Sequence, residues 1–214
     1  MIKMIAFDFD GTLADSVEFC LEVYTRVFRQ FMGDSAPSKE QIYAKFGMNE
    51  PGMLRHFMGK TVPEAEQEYF RLHEELHEEY CPAPFAGIEE LLISLKEKGI
   101  RLGLLTGRCE TTCQITMKYF KMDTWFESVQ TGSPIRNDKA AQLLELQRRF
   151  HLQPEELLYV GDTVSDAESS HEAGVRCLSA AWGSFTCLDE LNKVNPGLVF
   201  TSISAMKNWL DKQF

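Results

Sequence analysis

Basic residues are scarce in this sequence, and long hydrophobic runs are missing from it. Its 22 Lys and Arg residues face 32 Asp and Glu residues, which leaves a formal net charge of −10. So acidic a chain is poorly suited to nucleic acids or anionic membranes, which are bound through Lys and Arg that neutralise phosphates. No apolar run is long enough to cross a bilayer, and the stretch before Asp8 is too short for a secretory signal. We therefore expect neither a nucleic-acid nor a membrane partner.

Closely spaced cysteine pairs are absent as well. The six cysteines form no C-x-x-C pair and are scattered along the chain, at Cys20, Cys81, Cys109, Cys113, Cys177 and Cys187. A chain of 214 residues can bury a core without disulfide bonds, so this spacing favours reduced thiols. Together with the missing secretory signal, it predicts a soluble cytoplasmic protein.

Strand and helix patterns alternate through the second part of the chain. Apolar runs predict strands at residues 3–9, 101–105, 128–130, 157–160 and 175–178. Helical periodicity covers residues 16–31, 87–98, 110–120, 138–150 and 166–173. Strands that alternate with helices form right-handed βαβ units. The pattern therefore predicts an α/β fold with a Rossmann-like, doubly wound parallel sheet.

A block without strand patterns interrupts this alternation after the first strand. Residues 38–80 carry only helical patterns, which are broken at Pro51-Gly52 among other places. The helix before this block begins with Asp15 or Ser16 as its N-cap. We therefore predict an α/β core formed by residues 1–15 and 82–214, with an inserted all-helical cap domain at residues 16–81.

Acidic side chains follow the predicted strands at the points where these strands end. Parallel strands place their carboxyl ends at one edge of the sheet, where open sheets bind ligands. The residues that this rule brings together are Asp8, Asp10, Thr106, Gly107, Lys139, Asp162 and Asp166. Four carboxylates and one lysine sum to about −3, which is unfavourable without a cation nearby. The candidate ligands are all oxygens, with no His or Cys, and they favour Mg²⁺ over Zn²⁺.

The motifs at this edge resemble those of the haloacid dehalogenase (HAD) superfamily. Asp8-Phe9-Asp10-Gly11-Thr12 resembles its first motif, D-x-D-G-T, and Leu104-Leu105-Thr106-Gly107 resembles its second. Lys139 fits the third motif, and the run from Gly161 to Asp166 fits the fourth, G-D-x-x-x-D. A helical cap between the first two motifs is the arrangement of the phosphoglycolate phosphatase-like and β-phosphoglucomutase-like branch. The resemblance therefore implies a helical cap on an α/β core.

The resemblance also implies a role for each acidic residue. Asp8 would be the nucleophile that attacks phosphorus and forms an aspartyl-phosphate. Asp10 would protonate the leaving oxygen and then activate water. Asp8, the backbone carbonyl of Asp10 and Asp162 would hold Mg²⁺, with Asp166 as a ligand or as support. Dehalogenases lack the second Asp of the first motif, so Asp10 argues against dehalogenation.

Five further residues complete the implied site. Thr106 and Gly107 would bind phosphate oxygens, and Lys139 would offset the charge of Asp8 and of the phosphoryl group. The third motif departs from the K-P-x-P of the branch, because Ala-Ala-Gln follows the lysine. Arg108 stands where phosphoglycolate phosphatases more often have Asn-Lys, and it either contacts a substrate anion or shields the edge of the site. Gly47 in the cap either lets the backbone approach the ligand or forms a turn between helices.

The function that the resemblance implies is Mg²⁺-dependent hydrolysis of a small organic phosphate monoester, as in phosphoglycolate phosphatases. The partner would be a small phosphorylated metabolite, and the protein would be a monomer or a homodimer. A β-phosphoglucomutase-like sugar-phosphate mutase is an alternative, because Asp10 serves phosphoryl transfer to a sugar equally well. A pyrophosphatase is a further alternative that the motifs leave open.

One motif at the end of the predicted cap is typical of a different chemistry. His73-Glu74-Glu75-Leu76-His77 matches the zincin pattern H-E-x-x-H. The motif lies in a highly charged helical stretch, beside an apolar stripe that includes Leu72 and Tyr80. We therefore expect both histidines on a solvated helix face rather than in a metalloprotease site.

Overall fold

Six parallel β-strands form the centre of the molecule in the computed structural model, which describes residues 1–214. The strands are β1 (Met4–Phe7), β2 (Arg101–Leu105), β3 (Ser128–Gln130), β4 (Leu157–Gly161), β5 (Arg176–Ala180) and β6 (Val199–Phe200). They lie in the order β3-β2-β1-β4-β5-β6, and all neighbouring pairs are parallel. The strand order reverses between β1 and β4, which is where open sheets of this kind bind ligands. The structure confirms the predicted α/β class.

Ten α-helices cover and extend the sheet. Four of them follow β1 directly: α1 (Val17–Met32), α2 (Lys39–Tyr43), α3 (Glu50–Met58) and α4 (Pro63–Tyr80). The others are α5 (Ile88–Glu97), α6 (Glu110–Tyr119), α7 (Lys139–Phe150), α8 (Val164–Glu172), α9 (Leu188–Val194) and α10 (Ile203–Leu210). We use the name cap for residues 16–81, which contribute no strand to the sheet. None of the helices is both long and apolar enough to cross a membrane.

The side chains of β1 point alternately into two separate hydrophobic clusters, one on each face of the sheet. Ile5 and Phe7 belong to the larger cluster, which continues into the cap, whereas Met4 and Ala6 belong to a smaller one on the opposite face. All four side chains are fully buried. A strand buried on both faces is apolar throughout, and this is why β1 reads as a continuous apolar run. The last strand residues therefore hold Asp8 rigidly at the edge of the sheet.

The cap is docked on the core through backbone contacts. The Asn49 amide N–H donates to the carbonyl of Ser133 at 2.9 Å, and the Asn49 side chain donates to the carbonyl of Gly132 at 2.8 Å. Gly52 permits this close approach, because a Cβ atom there would lie 2.4 Å from the carbonyl oxygen of Pro134. The first turn of α3 is thus pressed against the loop that follows β3.

Three details differ from the sequence-based expectations. Pro51-Gly52 does not break a helix but lies in the first turn of α3, where proline is tolerated because its missing N–H has no helical partner. Ser16 precedes α1 without capping it, and its hydroxyl instead donates to Asp10. The strand β6 and the helices α9 and α10 were not predicted. The strand β6 has only two residues and is too short for a periodic signal.

Candidate active site

The carboxyl ends of the central strands open into a cavity of about 340 Å³, which we call the main cavity. The residues of the sequence analysis that line it are Asp8, Asp10, Gly47, Thr106, Gly107, Lys139 and Asp162. Asp166 lies beside them, with a carboxylate oxygen within 4.8 Å of oxygens of Asp8 and Asp162. Arg108 lines a smaller adjoining cavity. The structure thus brings all nine residues to one edge of the sheet.

Lys139 bridges two of the carboxylates. It begins α7, and its Nζ donates to Asp8 Oδ2 at 2.7 Å and to Asp166 Oδ1 at 2.5 Å. Asp166 also accepts hydrogen bonds from the Tyr159 hydroxyl and from the N–H and hydroxyl of Thr163. Both oxygens of Asp166 are therefore occupied by protein donors, so its main effect in this geometry is to orient Lys139 toward Asp8.

Asp162 has few partners of its own. Its buried carboxylate accepts one hydrogen bond, from the Thr12 hydroxyl at 3.3 Å. Gly11 makes room for it, because a Cβ atom at that position would lie 2.2 Å from Asp162 Oδ2. Gly11 also has a φ of +77°, a conformation that favours glycine. The D-x-D-G-T turn is therefore shaped around the carboxylate that follows β4.

The three neighbouring carboxylates fit a divalent cation. Burial raises the pKa of Asp8 to about 7, with Lys139 acting against this shift and Asp166 adding to it. Burial and the charges of Asp166 and Asp8 likewise raise the pKa of Asp162. One lysine thus fails to balance three carboxylates that lie within 4.8 Å of one another. A hard cation with oxygen ligands, such as Mg²⁺, would supply the missing positive charge.

Asp10 is turned away from this cluster and pairs with Arg108. The guanidinium donates to Asp10 through Nε at 3.0 Å and through Nη2 at 2.6 Å, and the Ser16 hydroxyl adds a third hydrogen bond at 2.6 Å. Burial alone would raise the pKa of Asp10, but the charge and hydrogen bonds of Arg108 hold it below its usual range. The Asp10 side chain is therefore held as a carboxylate beside the cavity.

The H-E-x-x-H histidines meet the other end of Arg108. The Nε2 atoms of His73 and His77 lie 3.1 and 3.0 Å from the same hydroxyl, that of Thr116, which also accepts a hydrogen bond from Arg108. Both histidines are buried, so the prediction of a solvated helix face was wrong. The charged residues around the two histidines suggested an exposed helix face, but α4 packs against α6 with the face that carries the histidines. A guanidinium occupies the position beside them, which does not suit a zinc ion.

Burial of His77 makes folding stability depend on pH. Burial first, and the nearby positive charge of Arg108 second, lower its pKa from 6.5 to about 4. The unfolded chain binds this proton near pH 6.5 and the folded chain only near pH 4, so stability falls as the pH drops through this window. We expect His77→Gln to remove up to about 3 kcal/mol of this loss. Urea unfolding at several pH values measures it.

The exposed His56 offers a matched control for this prediction. Gln at position 77 costs some packing at every pH, so the informative quantity is the slope of unfolding free energy against pH. The slope between the two pKa values should flatten in His77→Gln and stay unchanged in His56→Gln. Equal slopes in the wild type and in both variants would contradict the assignment of a neutral, buried His77.

The surroundings of Arg108 and Gly47 bear on the two alternatives that the sequence left open for each of them. Arg108 is buried, and its ring-face contact with Phe9, 4.7 Å from the centroid, adds to the ion pair with Asp10. It therefore does not lie exposed at the rim of the site. Gly47 has a φ of +127° and lines both the main cavity and the smaller one, so its backbone does approach the ligand space.

Some residues around the site were not predicted. Tyr43, Gly132 and Asn137 line the main cavity, and Tyr69 lines the smaller one from the cap. Tyr69 resembles a core aromatic, and no pattern in one sequence separates the two. Phe46 and Glu50 lie in the same stretch of the cap as Gly47 and line the smaller cavity with it.

Known proteins resemble this chain along most of its length. The model of haloacid dehalogenase-like hydrolases matches residues 5–180. A phosphoglycolate phosphatase from Synechococcus elongatus is 27% identical over 184 residues, which cover 85% of this chain and 85% of the relative. The pyrophosphatase PpaX from Bacillus cereus is 25% identical over 193 residues, which cover 85% of this chain and 84% of the relative.

A solved structure gives the same result for the fold. The crystal structure described as "putative beta-phosphoglucomutase" from Thermotoga maritima has a TM-score of 0.75 at 19% identity, and the alignment covers 100% of each chain. At this identity the likeness concerns the fold alone. The family match, by contrast, spans β1 through β5 and every residue of the acidic cluster. The chain therefore belongs to the haloacid dehalogenase-like hydrolase family, in agreement with the motifs that its sequence carries.

Proposed function

We propose that this haloacid dehalogenase-like phosphatase is a Mg²⁺-dependent hydrolase of small organic phosphate monoesters that works through an aspartyl-phosphate. The observation that carries the proposal is the position of Asp8. Its carboxylate ends the central strand, lines the main cavity, and lies beside Lys139 and two further carboxylates. Relatives named phosphoglycolate phosphatase and pyrophosphatase support phosphate chemistry at this site.

In the proposed first step, Asp8 attacks the phosphorus atom. Its Oδ2 accepts the hydrogen bond of Lys139, which leaves Oδ1 available as the nucleophile. A bond forms between this oxygen and phosphorus as the bond to the leaving oxygen breaks. Arg108 holds Asp10 as a carboxylate in the free protein, so Asp10 first takes up a proton from solvent and then passes it to the leaving oxygen. The product is a phosphoryl group on Asp8 and a free alcohol.

In the proposed second step, water attacks the phosphoryl group on Asp8. Asp10 takes a proton from this water, a role that suits a carboxylate held ionised by Arg108. The bond between Asp8 and phosphorus breaks, inorganic phosphate leaves, and the Asp8 carboxylate is restored. The same residue thus serves as acid in one step and as base in the next.

Several groups hold the phosphoryl oxygens and balance their charge in this proposal. The Thr106 hydroxyl accepts a hydrogen bond from the Arg108 N–H at 3.2 Å, and its own hydrogen is free to bond a phosphate oxygen. The Gly107 backbone lines the same wall, and Lys139 adds a positive charge next to Asp8. Mg²⁺, held by Asp8, Asp162 and the backbone carbonyl of Asp10, would reduce the repulsion between two anions.

Removal and return of the metal test this proposal directly. Purified protein treated with a chelator is expected to lose at least about 99% of its phosphate release, because neither the repulsion nor the orientation is then controlled. Added Mg²⁺ should restore the release, whereas Zn²⁺ should restore much less. The assay is phosphate release from a panel of small phosphorylated metabolites. Undiminished release from metal-free protein would contradict the proposal.

Two neighbouring activities compete with this proposal. A pyrophosphatase is favoured by the relatives of that name. A mutase is left open by Asp10, which serves phosphoryl transfer to a sugar equally well. The same panel separates them. Release from pyrophosphate alone would favour the first, and isomerisation of a sugar phosphate after priming with a bisphosphate would favour the second.

A further inference from the structure

The smaller cavity beside the site has a volume of about 80 Å³, and we call it the side compartment. It shares Asp10, Phe46, Gly47 and Gly107 with the main cavity, so the two spaces are adjacent. In an in-line displacement the leaving group departs on the side of phosphorus opposite the nucleophile. Asp10, which serves the leaving oxygen in the proposed function, forms part of this compartment. The compartment therefore lies where the organic part of a substrate would sit.

The volume of the side compartment determines how much of this organic part it can hold. A cavity of about 150 Å³ in another protein holds the six carbons of benzene. A compartment of about half that volume, 80 Å³, therefore has space for about three or four non-hydrogen atoms. A sugar or a nucleoside is too large for it, whereas a two-carbon alcohol fits.

The charges around the side compartment do not suit a second anion. Arg108 is the only basic residue that lines it, and the guanidinium is already engaged by Asp10, Thr116 and His73. Glu50 adds a second buried carboxylate to the walls. One guanidinium thus faces two acidic side chains. A leaving group with a carboxylate or a phosphate would find no unpaired positive charge there.

Glu50 also occupies the backbone position that an anion would otherwise use. The helix α6 begins two residues after Arg108, which lines the compartment, and the N–H groups at helix N-termini bind anions. The Glu50 carboxylate accepts the Cys109 N–H at 2.5 Å and the Thr112 hydroxyl. The cap therefore supplies its own anion to this helix of the core, and the position is closed to an anionic substrate group.

Tyr69 lines the side compartment without presenting its hydroxyl to it. The residue is fully buried, and a water-sized molecule cannot touch the hydroxyl oxygen. Tyr69 therefore limits the space of the compartment and does not pair with a ligand in it.

We propose that the side compartment selects substrates whose leaving group is small and uncharged, and disfavours those with a second negative charge. The proposal rests on the proposed phosphatase function, and it names the class of substrate for that site. It runs against the names of the relatives, since glycolate and phosphate are both anionic leaving groups. The difference is carried by the paired Arg108 and by Glu50.

A size-matched pair of substrates tests the charge preference. The leaving groups of 2-hydroxyethyl phosphate and 2-phosphoglycolate are both two-carbon alcohols, and they differ in a hydroxymethyl against a carboxylate. We expect kcat/KM of the Mg²⁺-loaded protein to be at least about tenfold higher for 2-hydroxyethyl phosphate. Pyrophosphate should be similarly poor. A Glu50→Gln variant should raise the ratio of the phosphoglycolate value to the hydroxyethyl value by about tenfold.

The outcomes separate this inference from the function on which it rests. Mg²⁺-dependent release that is equal or faster with phosphoglycolate or pyrophosphate overturns the inference and leaves the phosphatase proposal standing. Release from larger panel substrates but from none of the small uncharged ones does the same. An absence of Mg²⁺-dependent release from every compound overturns both. An unchanged ratio in Glu50→Gln would remove Glu50 as the selecting residue.

Discussion

Replacement of Asp8 by Asn is expected to lower kcat/KM for phosphate release at least about a thousandfold while the protein stays folded. The amide has the shape of the carboxylate but cannot attack phosphorus. Asp8 is the one carboxylate lining the main cavity that accepts a hydrogen bond from Lys139. Phosphate release with Mg²⁺ measures the loss. Intact mass after an acid quench should detect a phosphorylated wild type and an unmodified variant.

The control for this variant is Asp123→Asn, which makes the same change at an exposed residue before β3. It should keep wild-type turnover, since that residue precedes β3 and so lies toward the amino ends of the strands, away from the catalytic edge. Thermal unfolding of both variants establishes that they are folded. Substantial turnover by a folded Asp8→Asn protein would rule out the proposed nucleophile.

Replacement of Lys139 by Met is expected to cost about 3 kcal/mol of unfolding free energy in metal-free protein at mildly alkaline pH. The lysine is the only positive charge beside three buried carboxylates, and its loss leaves Asp8 and Asp166 without their counter-charge. The cost should shrink as the pH falls, because the carboxylates then take up protons. Urea unfolding in a chelator, at several pH values, measures it.

A surface lysine offers the matched control for this variant. Lys207 pairs with Asp211 at 3.1 Å across one turn of α10 and remains partly exposed. Its replacement by Met should cost no more than about 1 kcal/mol, because water screens exposed pairs. Mg²⁺ should stabilise Lys139→Met more than it stabilises the wild type, since it replaces the missing charge. Equal losses in the two lysine variants would contradict the charge imbalance of the acidic cluster.

The position of the acidic cluster could be predicted from the sequence, because it depends on topology. A strand that is apolar on both faces must be central, and a residue directly after such a strand must lie at the edge of the sheet. Asp8, Thr106 and Asp162 follow β1, β2 and β4, so their meeting required only that these strands be parallel neighbours. The fold class and the family followed from the same few motifs.

The partners of Arg108 could not be predicted, because they come from three elements that are distant in the sequence. Asp10 follows β1, Thr116 lies on α6 and His73 on α4, and only the docking of the cap brings them to one guanidinium. The same docking buries the two histidines that were expected on a solvated helix face. Sequence periodicity records which residues share a helix face, but not what that face packs against.

What the amino-acid order alone determined is the α/β architecture, the family and the residues at the catalytic edge. These depend on short runs whose apolar pattern and turn chemistry dictate their own local structure. Only the tertiary structure decided the pairing of Asp10 with Arg108, the insertion of Glu50 at the start of α6 and the unpartnered hydroxyl of Tyr69. Those features arise where the cap meets the core. The free energy of such contacts depends on how deeply the groups are buried and how far apart they lie. Both quantities are set only when the cap and the core are folded together.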